Sequence, residues 1–166
     1  MSPRVAVSEI VEGLEMQSDE MKSFLHRPTG RVVRISDEAF RAAEDGDAHG
    51  EWIGPEELED ACRLLEGDDQ YLALPDRFEI DEYHMMEGFA RRLSDATQRD
   101  AALTALRGRG AFRYFKDTVH RLGLAKSWYA YRDERYREVA RAWCETNDIE
   151  YDDSEGLAGR EADLHR

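Results

Sequence analysis

Arg107, Arg109, Arg113, Lys116 and His120 fall in the run RGRGAFRYFKDTVH, a glycine-bearing turn followed by a helical pattern. Guanidinium forks, an ammonium and the free amides of a helix start are the groups that hold a phosphate or carboxylate. The glycine and lysine spacings of a P-loop or dinucleotide fingerprint are absent, so the chemistry suggested is anion binding in general. A second constellation, Asp81, His84 and Glu87, is spaced three apart, as an acid–base pair or ligand set on one helix edge would be. On a helical wheel His84 and Glu87 lie opposite the apolar row, on the solvated side. No facing helix supplies the second acidic-and-histidine set that a carboxylate metal bundle needs.

Other candidates have plainer explanations. Glu56, Glu57, Glu59 and Asp60 form an acidic cluster without the loop order of a calcium site, and are expected to be a solvated helix face. Cys62 and Cys144 are the only cysteines and stand 82 positions apart, which fits buried free thiols and no structural zinc site. His26 and His49 are expected as isolated surface histidines. No serine stands in a nucleophile elbow, and no metal, cofactor or catalytic residue is expected.

The elements that position these groups are mostly helical. Phe112, Phe115, Val119 and Leu122 recur at three- and four-residue steps and are expected to form the buried stripe of a helix opened by Gly110 and closed by Gly123. Phe112→Ala or Phe115→Ala is then expected to cost about 3–5 kcal/mol. Ser127 is expected to cap a second helix, with Trp128, Tyr129, Tyr136, Val139, Ala140 and Trp143 on its apolar side and an end near Asn147. Arg132 sits in that row, four residues from Trp128 and from Tyr136, where it could lie on an aromatic face or reach a carboxylate of another element.

Earlier in the chain, Met1 to Val7 reads as a loose leader and Ser8 as the cap of a short helix. Met21–His26 and Arg31–Ile35 flank Pro28-Thr29-Gly30 and predict a β-hairpin. Ser36 caps a helix over 37–44. Pro55 opens another, with Leu58, Ala61, Cys62 and Leu65 on one face, and Gly67 stops it. Tyr71 to Leu74 predicts a strand, and the alternation of Phe78 and Ile80 suggests one more over 77–80. Asp81 caps a helix bearing Tyr83, Met86, Phe89, Ala90 and Leu93, and Ser94 or Asp95 restarts the chain into a helix bearing Ala102, Leu103 and Leu106. The predicted class is α+β, predominantly helical, with a small antiparallel sheet from the N-terminal half. Residues 1–151 are expected as a single compact domain and 152–166 as a disordered acidic tail.

The net charge of −14 is unevenly spread. Residues 1 to 80 hold 20 acidic and 8 basic groups, whereas 107 to 141 hold 4 acidic and 10 basic. The expected destination of the basic block is the acidic half of the same molecule or of a second copy, with an external anion as the alternative. No apolar run spans a bilayer, which predicts a cytoplasmic protein with no membrane partner.

These segments resemble uncharacterised protein family 0158. The resemblance rests on LPDRFEIDEYHMMEGF at Leu74 to Phe89, GRGAFRYFKDTVHRLG at Gly108 to Gly123, Trp128-Tyr129 and Ala142-Trp143-Cys144-Glu145, with a weaker likeness at the hairpin. It implies a bacterial cytoplasmic domain and carries no activity or cofactor with it. A non-enzymatic interaction or regulatory domain, with a protein partner or self-association, is the leading expectation. A domain recognising a nucleotide or nucleic acid through Arg107, Arg109, Arg113 and Lys116 is the alternative, and the negative total charge disfavours it.

Overall fold

The computed structural model describes residues 3–46 and 53–153. These are α+β, mostly helical, and divide into two compact units: residues to Asp76 together with those from Ala140, and residues Arg77–Val139.

The first unit is built on a three-stranded antiparallel sheet of order β3-β2-β4, with β2 at Met21–His26, β3 at Arg31–Ser36 and β4 at Tyr71–Ala73. Phe24 pairs with Val33 and with Ala73, and Leu25 with Val32 and Leu72, so each register row sets three side chains on one face. The face with Phe24, Val33, Ile35 and Tyr71 is covered by α2 (Asp37–Asp45) and α3 (Pro55–Leu65) through Phe40, Ala61 and Leu64. The opposite face, with Ser23 and Val32, receives α1 (Val7–Glu15) at Gly13. A Cβ there would sit 2.8 Å from Val32 Cγ1 and 2.9 Å from Leu74 Cδ2, so only glycine allows this approach. Ser23 Oγ donates to the Gly13 carbonyl at 2.7 Å inside that contact. Because both faces are covered, the hairpin strands alternate only partially in sequence.

Ser36 caps α2 as expected, its hydroxyl accepting from Ala39 N, and Gly46 ends that helix in the left-handed region. Four expectations are corrected in this unit. The leader is partly a strand, β1 (Val5–Ala6), paired in parallel with β5 (Tyr151–Asp152). Ser8 is not the cap of α1; Ala6 holds that position without a side-chain bond. Helix α3 buries Asp60 and Ala61 and packs Leu64 on the core while Leu65 is exposed, a phase shifted by one residue from the expected face. Asp152 lies in β5 and Asp153 accepts from Arg141 at 2.6 Å, so both belong to the packed unit. The rest of the expected tail lies outside the described residues.

The second unit is helical throughout: α4 (Arg77–Ile80), α5 (Glu82–Arg91), α6 (Ala96–Ala105), α7 (Ala111–Arg121) and α8 (Ala125–Thr146) as far as Val139. The strand suggested at 77–80 is α4, one turn that buries Ile80 and leaves Phe78 93% exposed. Asp81, at φ 53°, caps α5 by accepting from His84 N, and Asp95 caps α6 by accepting from Gln98 N. Ser127 lies inside α8 and does not cap it.

The core of this unit is aromatic. Trp128 meets Phe115 at 5.0 Å and Phe89 at 5.5 Å, both edge to face, and stacks on Tyr131 at 6.3 Å. Arg132 does both things its position allowed. Its Nε donates to Glu82 Oε1 at 2.7 Å, and its guanidinium lies 4.3 Å from the centre of the Tyr136 ring. Phe112, expected in the buried stripe, is 47% exposed; the row that α7 buries is Ala111, Phe115 and Val119.

This separates two substitutions that looked equivalent. In chemical denaturation Phe115→Ala is expected to lose about 3–5 kcal/mol and Phe112→Ala less than about 1 kcal/mol. Equal losses would contradict the observed roll of α7. In the sheet-bearing unit Tyr71 donates to the buried Asp60 carboxylate at 2.5 Å. Burial first, then Asp60, raises its phenol above the ordinary 10.0, so the protonated form is favoured by folding. Tyr71→Phe is expected to cost about 2 kcal/mol by stranding a buried carboxylate. The tyrosine's contribution should persist below pH 10 and fade as pH climbs through the raised value, which denaturation at pH 8 and pH 11 can compare.

Candidate functional site

Helix α7 is the element on which the site is built. Gly110 precedes it at φ 74°, a conformation that favours glycine, and a Cβ added there would lie 3.1 Å from the Tyr114 ring. Once Ala111, Phe115 and Val119 are turned inward at four-residue steps, the remaining positions are assigned by the 3.6-residue period. Arg113, Lys116 and His120 stand on the outer arc, and all are exposed. Phe112 flanks that arc, and Tyr129 of α8, 48% exposed, brings its ring 6.2 Å from that of His120. The result is a mainly cationic surface, broken by the exposed Asp117 one turn from Arg113, with two accessible aromatic rings beside it.

The other flank of α7 turns toward α6. Tyr114, Thr118 and Arg121 line a groove of about 560 Å³ with Asp100, Ala101, Thr104, Ala105 and Arg107. The five residues singled out from sequence are therefore not one pocket. Arg107 joins the groove, Arg109 sits exposed in the turn between Gly108 and Gly110, and Arg113, Lys116 and His120 share the outer face. Arg121, Tyr114 and Asp100 were missed. The seven-residue spacing of Tyr114 and Arg121 was visible, but it gains meaning only when the helix roll is known.

Among the described residues, Arg107, Arg109, Arg113, Lys116 and Arg121 have no carboxylate within ion-pair distance. The later part of the basic block is engaged: Arg132 with Glu82, Arg135 with Glu138, Arg137 with Asp133 and Arg141 with Asp153. All four of these carboxylates lie beyond residue 80, where the sequence had pointed to the acidic stretch before it. Charge is segregated between the units. Residues 77–139 carry 13 basic and 10 acidic groups, net +3, and the remainder carries 10 basic and 27 acidic, net −17.

The other constellations have structural duties. Asp81 caps α5, Glu87 accepts from Arg91 at 3.1 Å, and His84 is exposed. No group of three His, Cys, Asp or Glu side chains is arranged to hold a metal among the described residues. The acidic cluster on α3 is not a uniformly solvated face: Glu57 accepts from Ser36 N at 2.8 Å and from its hydroxyl at 2.9 Å, and Asp60 is the partner of Tyr71. His26 is not isolated either, since it bonds Thr29 Oγ1 at 2.7 Å and its ring sits 4.8 Å from that of Tyr71. His49 lies outside the described residues. Cys62 is half-buried and Cys144 buried, its thiol pushed up to about 11 by burial and by neighbouring Glu145, which keeps it a poor nucleophile at neutral pH.

Comparison with known proteins places the chain. The model of the uncharacterised protein family UPF0158 matches residues 2–164. The UPF0158 protein PA5073 of Pseudomonas aeruginosa is 33% identical over 89 residues, which cover 52% of this chain and 58% of that relative. The matched stretch thus spans little more than half the length of the relative. No solved structure matches. No helix among the described residues is long and apolar enough to cross a membrane. With nearly its whole length matched, this chain belongs to the uncharacterised protein family UPF0158.

Proposed function

We propose that this is a cytoplasmic, non-enzymatic interaction domain that docks an acidic surface of a protein partner on the outer face of α7. The observation that carries this is the combination on one face of Arg113 and Lys116, without ion-pair partners among the described residues, and of Phe112 and Tyr129 at about half exposure. Aromatic and arginine side chains are the groups that anchor interfaces, because they bury large area at low entropic cost and satisfy charge by forked hydrogen bonds. A cationic rim adds electrostatic steering toward a negative partner. The partner is either another protein or the strongly acidic unit of a second copy, which has the complementary sign.

The test uses a photo-crosslinkable residue at Tyr129 in living cells, with Asp69 as an exposed control position. A protein adduct is expected at Tyr129 and not at Asp69. Arg113→Glu with Lys116→Glu should reduce it at least about tenfold without changing the circular dichroism spectrum, and binding should weaken as salt rises from 0.1 M toward 1 M. Equal adducts at both positions, or adducts that ignore the charge reversal, would sink the proposal. A nucleic-acid adduct, with binding that falls by about 0.9 log units per phosphate contact for each decade of salt, would replace it.

A further inference from the structure

The groove between α6 and α7 has chemistry that the docking face does not use. Its lining combines two guanidiniums, Arg107 and Arg121, with one carboxylate, Asp100, and an aromatic ring, Tyr114. Neither arginine has an ion-pair partner among the described residues. The Tyr114 ring is 58% exposed, yet it is placed: it lies over Gly110, where a Cβ would come within 3.1 Å of it. Along α7 the step from Tyr114 to Arg121 rises roughly 10 Å at 1.5 Å per residue. The groove is an open surface trough of about 560 Å³, wide enough for a ligand that keeps one side in water.

These groups exclude more than they admit. An apolar ligand would strip water from two guanidiniums without replacing it. A bare inorganic anion would meet the Asp100 carboxylate with nothing to donate to it. A ligand that fits brings an anionic end for the arginine forks, a flat ring for the tyrosine, and a hydroxyl or amine for the aspartate.

We propose that the α6–α7 groove binds a nucleoside phosphate, with Arg107 and Arg121 on the phosphate oxygens, Tyr114 under the base and Asp100 accepting from a sugar hydroxyl or base amine. The site is separate from the outer face of α7, and the inference does not rest on the docking role. The whole chain is titrated with the four 5′-ribonucleoside monophosphates and with inorganic phosphate, by calorimetry and by amide chemical shifts. At least one nucleotide should perturb amides of Ala101, Thr104, Tyr114 and Thr118, with inorganic phosphate at least about tenfold weaker. Arg107→Gln, Arg121→Gln and Tyr114→Leu should each weaken binding about tenfold or more, Tyr114→Phe should retain it, and Lys116→Gln on the outer face should leave it unchanged. Spectra of the unliganded variants establish that each is folded. Phosphate binding as well as a nucleotide, unchanged affinity in folded Arg107→Gln and Arg121→Gln, or no binding by any of the four at millimolar concentration, would overturn the assignment. Loss in Lys116→Gln equal to that in Arg121→Gln would move the ligand to the outer face and overturn it as well.

Discussion

Burial of Phe115 against Trp128 and Phe89 is the contact on which the functional surface depends. Three large rings in edge-to-face contact admit one roll of α7, because a rotation by one residue would trade Phe115 for Tyr114 or Lys116 in the core. Once that roll is set, the disposition of every cation follows. Arg113, Lys116 and His120 are committed to water, and Arg121 and Tyr114 to α6. The ion pair of Arg132 with Glu82, reinforced by the Tyr136 ring, ties α8 to α5 and so supports the same cluster from its other side. It is half-buried, where the attraction between charges is screened less than at the surface and a lost partner costs more.

Much of this was legible in the residues, and the misses have physical causes. Helix positions, the hairpin and two of the caps followed from periodicity and turn chemistry. Phe112 failed because a 3.6-residue pattern is satisfied equally by Phe112, Phe115, Val119 and by Ala111, Phe115, Val119; alanine carries too little hydrophobic signal to break the tie. The turn at 77–80 failed because four residues hold one helical turn and two strand repeats alike. The β1–β5 pair joins residues 146 positions apart, and no local pattern encodes such a pairing. Asp60 and Glu57 look in sequence like the solvated charges around them, and only the neighbouring Tyr71 and Ser36 reveal that they are internal acceptors.

The candidate site was legible as composition and not as geometry. The run RGRGAFRYFK announced a basic and aromatic segment, but spacing alone could not divide it into an outer face and a groove. Family membership places the chain beside relatives of the same description and brings no chemistry with it. The charge division between units does carry meaning: a molecule of net −14 presents a unit of net +3, so its overall sign is a poor guide to what its helical part attracts.

The discontinuity of the sheet-bearing unit has a consequence for biosynthesis. Its first and last strands pair only when Tyr151 is available, whereas residues 77–139 form a continuous insertion that has left the ribosome by then. In vectorial synthesis the three-stranded sheet, finished at Ala73, and the helical insertion both precede β5, so the separate two-stranded β1–β5 sheet is the last of the described elements whose strands are all made.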